Sequence, residues 1–228
     1  MHFPPVASCF GSKSDASLAT ACRWNAAASF EATRIRTTST GFYGRPATDI
    51  RKHAAAGRYN CAVRSRYAIF SHGQESGPWG TKITALATLA AAQGYRTHSV
   101  DYRGIEDPRV RIEKLLTDCR ALEGDLVLCG SSMGGYVSVA AAAALRPRGL
   151  FLLAPALTLP NLPSLMGSTL QCPTVISHGL HDDVVPFERS VEFARMHGHT
   201  LHLLNSDHRL QDALPLISRL FEFFLVAL

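Results

Sequence analysis

No stretch of this 228-residue sequence strings together the roughly 18 to 20 apolar residues that a helix needs to cross a bilayer. The run from Val137 to Leu145 is closed by Arg146 and Arg148, and the tail LFEFFLVAL is too short, so it reads as a buried last helix. The amino-terminal region has no apolar core of the kind a secretory signal carries. Cysteine is present at positions 9, 22, 61, 119, 129 and 172, but never as C-x-x-C. That spacing argues against a zinc site or a disulfide frame. Cys119, Cys129 and Cys172 are expected as buried free thiols in a reducing, cytoplasmic setting.

Acidic residues are scarce in one part of the chain only. Residues 1–66 hold ten Lys/Arg and three Asp/Glu, whereas residues 67–228 hold thirteen and fifteen. The net charge of +5 therefore belongs to the first segment. The remainder has no basic stripe on the scale of a nucleic-acid binder, and no nucleic-acid partner is expected.

The first segment also lacks periodicity. It is rich in Ala, Ser, Thr and Arg, and neither a helical nor a strand pattern persists in it. Such a segment cannot bury enough apolar surface to offset its ordering entropy, roughly 1 to 2 kcal/mol per residue. Residues 1–66 are therefore expected to be a basic, largely disordered extension ahead of a domain spanning 67–228. An Arg-rich, Ser-rich, acid-poor composition matches an organelle transit peptide, which would place the protein in an organelle matrix. It equally matches an extension read from a mis-set start codon, or a basic arm.

From Tyr67 the pattern changes. β-type runs are expected at 67–72, 96–102, 125–130, 149–155, 174–179 and 200–205. Helical runs are expected at about 81–93, 109–122, 133–145, 187–197 and 210–227. Strands alternating with helices of this length imply right-handed crossovers and a three-layer, doubly wound α/β domain. The six strands read as near-continuous apolar runs, which suits a mostly parallel sheet buried on both faces. Ligands of such sheets bind beyond the carboxyl ends of the strands. The residues that follow each β run are thus the ones to search.

After the third run stands Gly130-Ser131-Ser132-Met133-Gly134, a G-x-S-x-G pattern between a strand and a helix. In that context the central Ser132 occupies a tight, strained turn that holds its hydroxyl out, and small neighbours avoid clashes. A nucleophilic serine needs a base, and the base needs an orienting acid. HGLHDDVVP follows the fifth run and NSDHRL the sixth. Ser132, then Asp182 or Asp183, then His208 gives the chain order serine, acid, histidine.

A metal site is the rival chemistry, since His178, His181, Asp182 and Asp183 form H-x-x-H-D-D and His208 could join them. It leaves Gly130–Gly135 unexplained, so neither metal nor cofactor is expected. Tyr102, Arg103 and Gly104 end the second strand and are assigned no chemistry, with Asp107-Pro108 opening the next helix.

Through SHG, GSSMGGY, HGLHDDVVP and SDHRL the sequence resembles the α/β-hydrolase family of serine hydrolases. The combination is similar to the subgroup of small esterases and depalmitoylating thioesterases. The resemblance covers Tyr67 to Leu228. It implies that Asp182, followed by Val185-Pro186 at the family spacing, is the acid and that Asp183 is a turn or cap residue. It also implies an oxyanion hole from the backbone N–H groups of Met133 and Gln74, with His72-Gly73 turning the chain. His72 and His178 are expected to be structural turn histidines. The family fold often has eight strands and a lid. Only six strands are visible here, and about 18 residues separate the fourth and fifth. The resemblance therefore implies a minimal fold without a lid domain and an open site. It would take a small acyl ester or thioester, or an acylated protein. A catalytically silent binding protein on the same fold is the alternative.

Overall fold

The structure is a computed structural model that describes residues 64–228. The extension expected over 1–66 lies outside the described residues, apart from its last three. Of these, Arg66 already opens the first strand.

Strands and helices alternate except between β4 and β5: β1 (Arg66–Ser71), α1 (Thr81–Ala92), β2 (Arg96–Val100), α2 (Pro108–Cys119), β3 (Asp125–Ser131), α3 (Met133–Leu145), β4 (Gly149–Leu153), β5 (Thr174–Gly179), α4 (Phe187–His197), β6 (Thr200–Leu204) and α5 (Leu214–Val226). The sheet has six strands in the order β2-β1-β3-β4-β5-β6, and every pair is parallel.

Side chains alternate across each strand, so every strand serves both layers. Ala68, Phe70, Val127, Cys129, Phe151 and Leu153 face α1 and α5, where Leu86, Ala90, Ile217, Phe221 and Phe224 cover them. Ile69, Leu126, Leu128, Leu150, Leu152 and Ile176 face the side covered by Leu115, Val137, Ala141 and Phe193 of α2, α3 and α4. On the first side Phe221 meets Phe151 edge-on with ring centroids 4.9 Å apart, and Phe224 lies 5.5 Å from Phe151. Such pairs add about 0.5–1.5 kcal/mol each beyond the area they bury.

Three features depart from the sequence reading. The last helix was expected from residue 210 but starts at Leu214. Leu210 takes a left-handed turn at φ +56°, and the Asp207 carboxylate holds the N–H groups of Arg209 and Leu210 at 2.9 and 3.1 Å. The apolar tail is not buried all round: Ile217, Phe221, Phe224 and Leu225 point inward, while Phe223 and Val226 are 73% and 77% exposed. Cys119 and Cys129 are buried thiols, but Cys172 is only half-buried, in the segment before β5.

The chain steps from β1 outward to β2, then crosses back to place β3 on the other side of β1. That reversal opens a crevice at the carboxyl ends of β1 and β3. Ser71 pairs with Gly130 there, so His72-Gly73 and Ser132 leave the sheet side by side. Between β4 and β5 the segment 154–173 forms no helix or strand. It packs inward through Leu157 and Leu165 and is tied to α3 by the Tyr136 hydroxyl, which donates to the Pro163 carbonyl at 2.9 Å. Among the described residues no helix is long and apolar enough to cross a membrane.

Candidate active site

β3 ends at Ser131 and α3 begins at Met133, so a single residue turns strand into helix. That residue, Ser132, has φ +55° and ψ −121°, a region that costs a side-chain-bearing residue on the order of 1–3 kcal/mol. Its surroundings over-determine it. The Ser132 N–H donates to the Leu153 carbonyl at 2.9 Å, and its own carbonyl accepts from Gly135 and Ala156 at 2.9 and 3.1 Å. Close packing does the rest. A Cβ on Gly134 would stand 2.0 Å from the Ser71 carbonyl oxygen, and one on Gly130 would stand 2.5 Å from that of Gly134.

The structure brings Ser132, His208 and Asp182 together. His208 stands in the turn after β6. Its Nε2 is 3.0 Å from Ser132 Oγ and its Nδ1 is 2.7 Å from Asp182 Oδ2. The Asp182 side chain has no exposed surface, and that of His208 is 19% exposed. Oδ1 of Asp182 accepts the N–H groups of Val184 and Val185 at 2.9 and 2.7 Å. Burial pushes this carboxyl up, but the Val185 amide, His208 and the Val184 amide together hold it below the usual carboxylate value. It is a carboxylate at neutral pH.

Asp183 was expected to be a turn or cap residue. It lies exposed in the turn, and the capping falls to Asp182, through the oxygen that His208 does not use. The turn of Asp182 is also stitched to that of His208: Leu180 N–H donates to the Leu204 carbonyl at 2.8 Å, and His181 N–H to that of Ser206 at 3.0 Å.

His178 is enclosed beneath the acid. Its Nε2 lies 3.0 Å from both the Val185 carbonyl and Asp182 Oδ2, while its Nδ1 pairs with the Ser190 hydroxyl at 2.8 Å. Burial depresses its pKa, so the ring is neutral. His181 turns elsewhere, to Asn205 at 2.8 Å. Of the H-x-x-H-D-D residues, His178 and Asp182 meet, whereas His181 turns away and Asp183 is exposed. Among the described residues no group of three or more His, Cys, Asp or Glu is arranged to hold a metal ion.

Facing Ser132 is the loop after β1. Tyr102 N–H donates to His72 Nε2 at 2.9 Å, so the ring proton is on Nδ1, which donates to the Gly73 carbonyl at 2.7 Å. Burial lowers the pKa of His72, which fits this neutral, structural ring. A Cβ built on Gly73 would lie 3.3 Å from Ser132 Cβ and 3.8 Å from its Oγ. The peptide leading into exposed Gln74 thus begins beside the serine. Met133 opens α3, where the first amides have no acceptor within the helix.

Sequence reasoning missed one buried charge. Arg111 of α2 is 2% exposed and reaches this loop. A signal was available: Arg111, Leu115 and Cys119 share the buried stripe of α2, four residues apart. A charged residue in register with an apolar stripe is unusual enough to mark.

A cleft of about 540 Å³ opens at the opposite, amino-terminal edge of β5 and β6, lined by Cys172, Thr174, His197 and His199 among others. Burial raises the Cys172 pKa, so that thiol is no activated nucleophile. The chemistry-bearing groups are at the other edge.

Residues 68–224 match the model of the alpha/beta hydrolase family. The chain belongs to that family. This α/β hydrolase is similar to a solved hydrolase of the superfamily from Xanthomonas campestris pv. campestris, at 32% identity over 72% of this chain and 99% of that one, with a TM-score of 0.68. It is similar in fold to mouse alpha/beta hydrolase domain-containing protein 10, at 20% identity over 70% of this chain and 89% of that one, with a TM-score of 0.61. A lidless serine hydrolase from Xanthomonas campestris aligns at 21% identity over 72% and 83% of the two chains, with a TM-score of 0.53. No curated protein is significantly similar in sequence.

Proposed function

We propose that this α/β hydrolase cleaves carboxylic esters or thioesters through a covalent acyl-enzyme. One observation carries the reading: His208 spans Ser132 Oγ and the buried Asp182 with hydrogen bonds of 3.0 and 2.7 Å. Asp182 fixes the proton on Nδ1, which leaves Nε2 free to accept one from the serine. Ser132 Oγ attacks the acyl carbonyl carbon and its proton passes to His208 Nε2. The oxygen that gains charge is received by the N–H groups of Met133 and Gln74. The tetrahedral adduct collapses, His208 returns the proton to the departing alcohol or thiol, and the acyl group remains on Ser132. Water then repeats the sequence with His208 as base.

The segment 154–173 packs against the domain and forms no separate cap, which supports an open site. Such a site suits small acyl groups, or an acyl group carried on a protein surface that a lid would obstruct. A fluorophosphonate probe tests the reaction: the wild type is expected to take the label and Ser132→Ala to take none. An unlabelled, folded wild type, or equal labelling of the variant, refutes it. Acyl chains of graded length, offered as matched oxygen and sulfur esters, then assign the substrate class.

A further inference from the structure

Arg111 is the one buried lysine or arginine among the described residues. Among the described residues no carboxylate stands within ion-pair distance of it; Asp107 and Asp118, near the two ends of α2, pair with Arg109, His98 and Lys114 instead. A buried charge without a counter-ion is costly unless fixed dipoles replace its water. Here main-chain carbonyls do so. Arg111 Nε donates to Ile105 O at 2.6 Å. Its Nη1 stands 3.4 Å from both His72 O and Gly73 O. The guanidinium also lies over the Tyr102 ring, 5.2 Å from its centroid, and the Tyr102 hydroxyl is 3.0 Å from Ser71 Oγ. The cation is thus clamped to the end of β1 and the loop that follows it.

The Gly73 carbonyl belongs to the same peptide as the Gln74 N–H. That peptide is planar and trans, so its N–H points opposite its carbonyl. Two groups hold the carbonyl: His72 Nδ1 at 2.7 Å and the Arg111 guanidinium at 3.4 Å. Whatever fixes the oxygen fixes the hydrogen on the other side. A positive charge at the oxygen also polarises the peptide and makes its N–H a stronger donor. The same loop passes close to Ser132: a Cβ added to Gly73 would stand 3.3 Å from that of the serine.

We propose that Arg111 is a positioning residue of the reaction: it holds the His72-Gly73 carbonyls so that the Gln74 N–H is aimed at, and strengthened for, the oxyanion that forms on the acyl group at Ser132. This rests on the acyl-transfer reading above and assigns a role within it. Arg111 touches no reacting atom. It acts through the peptide, with His72 holding the same carbonyl from the other side.

The test compares Arg111→Gln, Arg111→Lys, Gln74→Pro and the double variant Arg111→Gln/Gln74→Pro with the wild type. Proline at 74 removes the N–H itself. Loss of a whole oxyanion donor costs about 10²- to 10³-fold in kcat; a misaimed donor should cost less, about 10- to 100-fold for Arg111→Gln. KM for p-nitrophenyl butyrate should stay within about threefold, because a ground-state carbonyl needs the donor less. Affinity for an alkyl trifluoromethyl ketone, which forms a charged tetrahedral adduct on serine, should fall in parallel with kcat. Arg111→Lys keeps the charge but not the fork and should recover part of the loss. The double variant should be no slower than Gln74→Pro alone.

Several outcomes would overturn the proposal. One is an Arg111→Gln protein with wild-type kcat. Another is a loss confined to KM, and a third is a double variant in which the two losses multiply. If Arg111→Gln does not fold, the lysine variant decides: a folded Arg111→Lys with undiminished kcat and ketone affinity refutes the role. A wild type that takes no fluorophosphonate and cleaves no ester refutes the underlying reaction instead, so the two failures are distinguishable.

Discussion

The turn that carries Ser132 and the turns that carry Asp182 and His208 are built by different means. The serine is placed by exclusion. One residue connects β3 to α3, its backbone is held at φ +55°, and glycine hydrogens fill spaces where any Cβ would overlap a carbonyl. Asp182 and His208 are placed by attraction. Their turns are irregular, and hydrogen bonds from Val184, Val185, Leu180, His181 and His178 set their positions. The contrast teaches where tolerance lies. The steric turn should fail as a fold, whereas the polar turns should fail as chemistry on an intact fold.

The largest effect sharpens the chemical half of that contrast. Ser132→Ala and His208→Ala should each lower kcat by about 10⁵- to 10⁶-fold, and the double variant should be no worse, because the residues act as a unit. Steady-state kinetics with circular dichroism as a fold check measures this. Asp182→Asn should cost about 10⁴-fold, by favouring the imidazole tautomer that points a proton at the serine. Asp183→Asn, one residue along and exposed, should cost about tenfold or less. Reversal of that order would move the acid to Asp183.

Gly134→Ala tests the steric half. The added methyl meets the Ser71 carbonyl, and the variant should lose about 3 kcal/mol or more of stability, read as a depressed thermal midpoint with activity lost in step. A stable, soluble Gly134→Ala protein would mean that the turn yields, and the contrast would collapse.

A smaller effect is set by pH. Burial keeps the folded-state pKa of His178 below its unfolded value. As pH falls below about 6.5 the unfolded chain takes up a proton that the folded chain refuses. Stability should therefore decline from there downward, with His72 and His199, also lowered by burial, adding to the slope, and His178→Gln should reduce that limb without removing it. Asp182 is also depressed, so it stabilises the folded state above the ordinary carboxylate pKa. That contribution is lost only as pH falls through its folded value, and Asp182→Asn should flatten this more acidic limb. Urea denaturation from pH 8 to pH 3 separates the two. The smallest effect is expected from a chain beginning at Arg64, which keeps the Arg64–Asp125 contact of 3.4 Å. Its thermal midpoint and activity should match those of the full chain, and loss of cooperative unfolding would make residues before Arg64 part of the domain.

What was legible in the sequence follows from what repeats. Six strand runs between helical ones placed every element to within a few residues: the inner strands β3 and β4 are buried on both faces and read as continuous apolar runs, while the edge strands β2 and β6, only partly buried, were placed by the helical runs on either side. Ser132, Asp182 and His208 were legible because strand-end position and chain order constrain them. The start of α5 was not, since only the Asp207 side chain and the left-handed Leu210 reveal that the chain turns before it coils. Asp183 was read as a turn or cap residue; it is in the turn, but the capping belongs to Asp182, because one carboxylate has two oxygens and can meet both His208 and the Val184 and Val185 amides. Arg111 was not singled out; only its phase with Leu115 and Cys119 distinguishes it from Arg109 and Lys114.

The packing of α5 has a consequence for synthesis. The face of the sheet carrying Phe70 and Phe151 is closed by α1 and α5, which come from opposite ends of the described chain. While a ribosome is still making β5 and α4, the central strands can already pair, but only α1 is available to that face. Phe151 stays uncovered until Phe221 and Phe224 emerge. From the synthesis of β4 onward the nascent chain thus carries an open aromatic patch, and closure of the domain waits on its last helix.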